Sequence, residues 1–122
     1  MLTATTATNP QPKTTYGNTN TCLTQVVKIL GPGPLLRSAG ESSGGMEGRK
    51  EGDAMPGSYV NHYLCNGGVV VPQFGGIAAE RDAAAMAVLR GCHPDRAVVG
   101  VDSRAILCGG GHIHCATMQQ PA

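Results

Sequence analysis

Tryptophan is absent, and three Tyr and one Phe are the only aromatic residues. Without large rings, the apolar core of this 122-residue chain must rest on Val, Leu, Ile and Met, and it will be thin. No apolar run is long enough to span a membrane. Neither sign of charge dominates. Nine Lys and Arg oppose eight Asp and Glu, the net charge is +1, and the basic residues are scattered. That pattern argues against the basic patch a nucleic-acid or anionic-membrane partner needs. CxxC pairs are missing from the five cysteines (Cys22, Cys65, Cys92, Cys108 and Cys115), and no apolar leader opens the chain. Such a set reads as reduced thiols in a cytoplasmic protein.

Glycine, at 18, and proline, at 8, are plentiful, so turns and loops should occupy much of the chain. Residues 1–21 are rich in Thr, Asn and Pro without apolar periodicity and predict a disordered lead-in to a folded part over 22–122. Leu23–Leu30 predicts a strand, ended by Gly31-Pro32-Gly33-Pro34. Residues 37–57 carry almost no large apolar group and predict a long solvated loop. Tyr59–Leu64 and Val69–Phe74 predict an antiparallel hairpin, because Asn66-Gly67 between them accepts the turn's positive φ. Ala78–Arg90 predicts a helix on that sheet, with Gly91 as its C′ residue and Pro94 beyond. Ala97–Val101 predicts a buried strand. The fold class is α/β, and one strand–strand–helix–strand unit cannot close a core alone. Its uncovered edges would favour self-association and leave room for a homo-oligomer.

The chemistry concentrates in Gly109-Gly110-Gly111-His112-Ile113-His114-Cys115, with Thr117, Gln119 and Gln120 behind it. Three glycines permit close backbone approach to a ligand. A thiolate beside imidazoles is a nucleophile, so Cys115 is a candidate catalytic residue, with Gly109, Gly110, Gly111 and His114 shaping its site. Two other readings stand beside it. Cys115 could be a packed, inert thiol, or Cys108, His112, His114 and Cys115 could hold zinc, although such crowded spacing converges poorly on one ion. On an extended strand, His112 and His114 would share one face and Cys115 would take the other, which disfavours His112 as a base. Asn61 and Gln73 read by default as solvated or ladder-flanking hairpin residues, with a cleft role as the alternative.

Longer motifs add a resemblance. Ser58-Tyr59-Val60-Asn61-His62-Tyr63, Asn66-Gly67-Gly68-Val69-Val70-Val71-Pro72-Gln73-Phe74-Gly75, Pro94-Asp95-Arg96, Val98 to Arg104 and Gly109 to Pro121 follow in the order seen in agmatine deiminases. The chain resembles that family, together with the bacterial type of peptidyl-arginine deiminase. The resemblance implies a partial pentein fold, a five-bladed α/β propeller, of which about one to one and a half ββαβ blades would be present. Residues 22–122 would be the C-terminal part of the catalytic domain. It also implies Cys115 as nucleophile, agmatine as the small guanidino substrate, N-carbamoylputrescine and ammonia as products, a place in polyamine biosynthesis, and no metal or organic cofactor.

The chain also departs from that family. Its general acid/base His and partner carboxylate belong to a Gly-His-x-Asp type of motif upstream of the cysteine, and that motif is missing here. His112 stands where Asn or Gly is usual, Ala116 replaces a larger aliphatic, and Met118 replaces Gln. Glu41, Glu47, Glu51 and Asp53 fall in the hydrophilic loop. Glu80 and Asp82 fall at the helix start, where acids suit the dipole. Asp95 and Asp102 flank a strand. Two expectations follow: an agmatine deiminase that is incomplete in this chain, or an inactive truncated remnant that only associates with a full-length homologue.

Overall fold

The computed structural model describes residues 26–42 and 48–121. The predicted lead-in over 1–21 lies outside them. Of the predicted strand Leu23–Leu30, residues 26–30 are irregular, with Val26 and Leu30 exposed and Ile29 packed against the core. An apolar run becomes a strand only when a neighbour completes its ladder, and among the described residues none lies beside it.

The first ladder forms later. β1 (Leu35–Leu36) pairs antiparallel with β2 (Ala54–Met55), Leu35 opposite Met55. The Arg37 amide extends the pairing by donating to Asp53 O at 2.9 Å, and the Gly52 amide returns to Arg37 O at 2.9 Å. The expected solvated excursion over 37–57 is exposed at most of its described residues, but its two ends are tied to each other and it carries a short helix, α1 (Ala39–Ser42). Leu35 and Met55 enter the core because they are the few large apolar groups this segment owns.

The second sheet holds β3 (Tyr63–Cys65), β4 (Gly68–Gln73) and β5 (Ala97–Asp102) in that order. β3 and β4 are antiparallel, and Cys65 faces Gly68, so Asn66-Gly67 is the whole turn, with Gly67 at φ 73°. The hairpin is as predicted, but its first strand begins at Tyr63 and not at Tyr59. Tyr59 turns inward instead and is 1% exposed. Pro72 sits within β4 past the end of β3, whose Tyr63 faces Val70, so it breaks no ladder on that side.

α2 (Ala79–Cys92) crosses over the sheet to β5, which runs parallel to β4. Asp82, Ala85, Met86 and Leu89 line its buried face at helical spacing, against Val69, Val71 and Phe74. Gly91 is not the C′ residue, because the helix runs to Cys92 and ends at His93 (φ −131°, ψ 66°). Pro94 is the cause: the residue before proline is driven out of the helical region. β5 corrects another expectation. Predicted as buried, it is largely exposed, with Val99 and Val101 open to solvent, since it is an edge of the sheet.

Asp82 ties this unit together. Its carboxylate accepts the Tyr59 hydroxyl at 2.6 Å, the Phe74 amide at 3.0 Å and the Gly75 amide at 2.8 Å. Burial, then the hydrogen bond to Asp82, pushes the Tyr59 phenol well above its ordinary range. The result is one ββαβ unit with a two-stranded flap, and the C-terminal segment packs beside it.

Candidate active site

β5 delivers the chain to the site. Ser103 is fully buried, and its amide donates to Gln73 O at 3.0 Å, locking the ends of β4 and β5 together. Gln73 thus works within the sheet, and a Cβ on Gly100 would meet its side chain at 2.8 Å. α3 (Arg104–Cys108) follows, with Leu107 in the core. Arg104 forks onto Glu41, Nε to Oε1 at 2.8 Å and Nη2 to Oε2 at 2.9 Å, and also reaches Leu36 O at 3.1 Å. Ser38 adds its amide and hydroxyl to the same carboxylate, each at 2.8 Å. The Arg104 fork, with Ser38's help, brings the Glu41 pKa down to about 2. The flap is thereby clamped to α3.

The glycine turn begins where α3 ends. The Cys108 carbonyl accepts Arg49 Nη1 at 2.9 Å and Arg37 Nη2 at 3.4 Å. Gly110 adopts φ 90°, and a Cβ there would lie 2.6 Å from Arg49 Nη2. The positive φ favours glycine here, and any larger residue would also have to displace the Arg49 guanidinium. A Cβ on Gly111 would lie 3.1 Å from Cys115 Cβ, so this glycine lets the chain fold back onto the thiol-bearing residue. A Cβ on Gly109 would press on Ile106 O at 3.3 Å.

The histidines then part company. His112 is 3% exposed, its ring edge-on to Phe74 at 5.5 Å. Its Nε2 lies 2.7 Å from Pro56 O. A carbonyl only accepts, so Nε2 carries the proton, and the buried Nδ1 has no partner. The expectation that His112 and His114 share a strand face is corrected. Ile113 is helical (φ −53°, ψ −50°), His114–Ala116 form a 3₁₀ turn, and His114 and Cys115 are both exposed. Ile113 is 6% exposed, and burying it turns the chain here. With His112 in the core, it serves neither as a base at the surface nor as a zinc ligand beside Cys115. Among the described residues, no three His, Cys, Asp or Glu side chains gather around a point that could hold a metal ion.

The side chain that does meet the thiol is Asn61. Its Nδ2 donates to Cys115 Sγ at 3.3 Å, while its Oδ1 accepts the His114 amide at 3.0 Å. Cys115 is an exposed free thiol, and its pKa is lowered by a backbone hydrogen bond at His112 and then by Asn61. The His114 imidazole makes no hydrogen bond to the sulfur, so its contribution is through its backbone. A shallow, open depression is lined by Ser58, Val60, Asn61 and His114. Beyond Cys115, Tyr63 Oη donates to Met118 O at 3.3 Å and lays the tail along β3. Among the described residues no carboxylate hydrogen-bonds to Cys115. This geometry offers an accessible sulfur in a thiolate-favouring setting, with no acid/base pair hydrogen-bonded to it among the described residues.

Comparison with known proteins follows the same lines. The family profile of the Porphyromonas-type peptidyl-arginine deiminases matches residues 8–121. An agmatine deiminase of Pseudomonas putida is 44% identical over 102 residues, covering 80% of this chain and 27% of its own length. An agmatine deiminase of Medicago truncatula is 41% identical over 104 residues, with the same coverage of 80% and 27%. The solved agmatine deiminase of Enterococcus faecalis is 40% identical, with a TM-score of 0.56 over 60% of this chain and 19% of that one. The chain thus spans about 27% of the length of these curated relatives. The ββαβ unit is part of a pentein fold, the fold of these solved neighbours.

Proposed function

The chain belongs to the Porphyromonas-type peptidyl-arginine deiminase family, and on that premise we propose that it is the thiol-bearing part of an agmatine deiminase. Cys115 is the nucleophile, and the observation that carries this is its accessible sulfur, held at the end of the glycine turn by a hydrogen-bond donor that favours the thiolate. The guanidinium carbon is a weak electrophile because three nitrogens share its charge. The Cys115 thiolate adds to that carbon, and the bond to one terminal nitrogen breaks as this nitrogen gains a proton and leaves as ammonia. Water then attacks the resulting thiouronium carbon, the C–S bond breaks, and N-carbamoylputrescine and the thiolate are released. Gly111 leaves room beside the reacting sulfur, and the His114 backbone orients it through Asn61.

The reaction also needs an acid/base and carboxylates to grip the planar guanidinium. None is arrayed around the sulfur within the described residues, so those roles fall to the rest of the span found in full-length relatives. The same observation favours a second reading, in which this chain by itself is inactive and only associates with a full-length homologue. The setting in this proposal is polyamine biosynthesis in the cytoplasm, without metal or organic cofactor. Structurally, no helix among the described residues is long and apolar enough to cross a membrane.

The test is ammonia and N-carbamoylputrescine release from agmatine. The chain alone should show little turnover, because catalytic groups that act as a unit lose most of their effect when separated. Joined to the upstream region of a relative it should be active, Cys115→Ser should abolish that activity, and Cys108→Ser should be mild. Full activity of the joined Cys115→Ser protein would remove the nucleophile assignment, and robust turnover by the chain alone would remove the need for the missing span.

A further inference from the structure

We infer that Asn61 is a positioning residue for the Cys115 sulfur, through an amide whose two ends are committed to two different partners. Its Oδ1 accepts the His114 amide at 3.0 Å, and its Nδ2 donates to Sγ at 3.3 Å. The first contact decides the second. A backbone N–H can only donate, so the carbonyl end of the amide must face His114, and the donor end is then left facing the sulfur. A flipped amide would set two donors against each other at His114 and lose the donor at Sγ. The Asn61 main-chain carbonyl also faces the His114 amide, at 3.4 Å, so backbone and side chain grip the same point.

The alternative contact, from a protonated Sγ–H to Oδ1, is longer at 3.8 Å and competes with an oxygen already engaged. The amide therefore prefers the thiolate to the thiol. The lowered thiol pKa, to which Asn61 contributes after the His112 backbone, agrees with this. Other titratable groups nearby do not do the same job. The His112 ring is turned to Pro56 and Phe74, the His114 ring is in solvent, and among the described residues no carboxylate hydrogen-bonds to the sulfur.

The role rests on Cys115 being the reactive thiol but is measured without turnover. In the full chain, iodoacetamide alkylation of Cys115 is followed against pH by peptide mass spectrometry, with the exposed Cys92 on α2 as internal reference. In Asn61→Ala the Cys115 midpoint should rise by about one pH unit, a roughly tenfold loss of thiolate near neutrality, because a charge-assisted hydrogen bond is gone. Asn61→Asp keeps the acceptor for His114 but replaces the donor with a negative charge, so it should raise the midpoint further while preserving the turn. Cys92 should be unchanged in both. A purely structural role would leave the Cys115 midpoint of Asn61→Ala at the wild-type value, and that result overturns the proposal. Should Asn61→Ala fail to fold, Asn61→Leu, close in shape and equally without the donor, takes its place. Midpoint shifts in a joined protein whose Cys115→Ser variant still hydrolyses agmatine would overturn the nucleophile reading and leave Asn61's role standing. An unmoved midpoint in a protein silenced by Cys115→Ser would do the reverse.

Discussion

Asp82 and Asn61 each gather groups from distant parts of the chain, yet they sit in opposite surroundings. Asp82 is 5% exposed beneath α2 and accepts three donors from Tyr59, Phe74 and Gly75. Asn61 lies at the rim of an open depression, accepts one amide and donates to one sulfur. Water cannot replace what Asp82 does for the buried Tyr59 and Phe74, whose donors have no other partner in the core. Water can replace much of what Asn61 does for the backbone, but it cannot hold a fixed dipole against a thiolate. The buried hub is thus an element of stability, and the half-buried one is, in the proposal above, an element of chemistry.

The largest expected effect tests the buried side. Asp82→Ala leaves the buried Phe74 amide and Tyr59 hydroxyl unsatisfied and should cost about 3 kcal/mol or more, a large share of a small domain's total. Asp82→Asn should cost less, about 2 kcal/mol, since one oxygen still accepts while its NH₂ opposes an amide. Urea unfolding followed by circular dichroism reads both, and a loss under about 0.5 kcal/mol for Asp82→Ala would dissolve the contrast.

An intermediate case sharpens it. Glu41 is held by Arg104, but the side chains are 18% and 30% exposed, so Glu41→Gln should cost only about 1 kcal/mol at neutral pH. The pKa of Glu41 is lowered from 4.5 to about 2 on folding. Its contribution is therefore present above pH 4.5 and is lost as pH falls toward 2. Stability of the wild type and Glu41→Gln should converge over that window. A difference that persists at the acid end would show that the pair acts through packing and not charge.

The smallest stability effect belongs to the half-buried hub at Asn61. Asn61→Ala should change the unfolding free energy by no more than about 0.5 kcal/mol, although it slows Cys115 alkylation. A loss as large as that of Asp82→Ala would make Asn61 a folding residue and erase the distinction.

Legibility in the sequence divides along a related line. The Asn66-Gly67 hairpin and the helix after Gly76 were predicted because turn dipeptides and alanine-rich runs act over a few residues. The Gly110 turn and Cys115 were legible as a motif for the same reason. Asn61 was not, since it meets the thiol across 54 positions and looks like any hairpin residue. Nor was Glu41, read as a solvated acid, because its partner Arg104 lies 63 positions away. The apolar run over Leu23–Leu30 misled in the other direction, as β propensity means little without a partner strand.

The amino-acid order by itself determined the α/β character, the two-residue turn, the helix and its proline-driven end, and a glycine turn leading to a single cysteine. Each of these is set by φ, ψ and hydrogen bonding among near neighbours. Only the tertiary structure decided that His112 is a core residue and His114 a surface one. The same holds for β5 as an exposed edge and for an asparagine from the hairpin region facing the sulfur. Those outcomes depend on which distant surfaces pack together, and burying Ile113 and His112 against the core is what rotates Cys115 outward to Asn61.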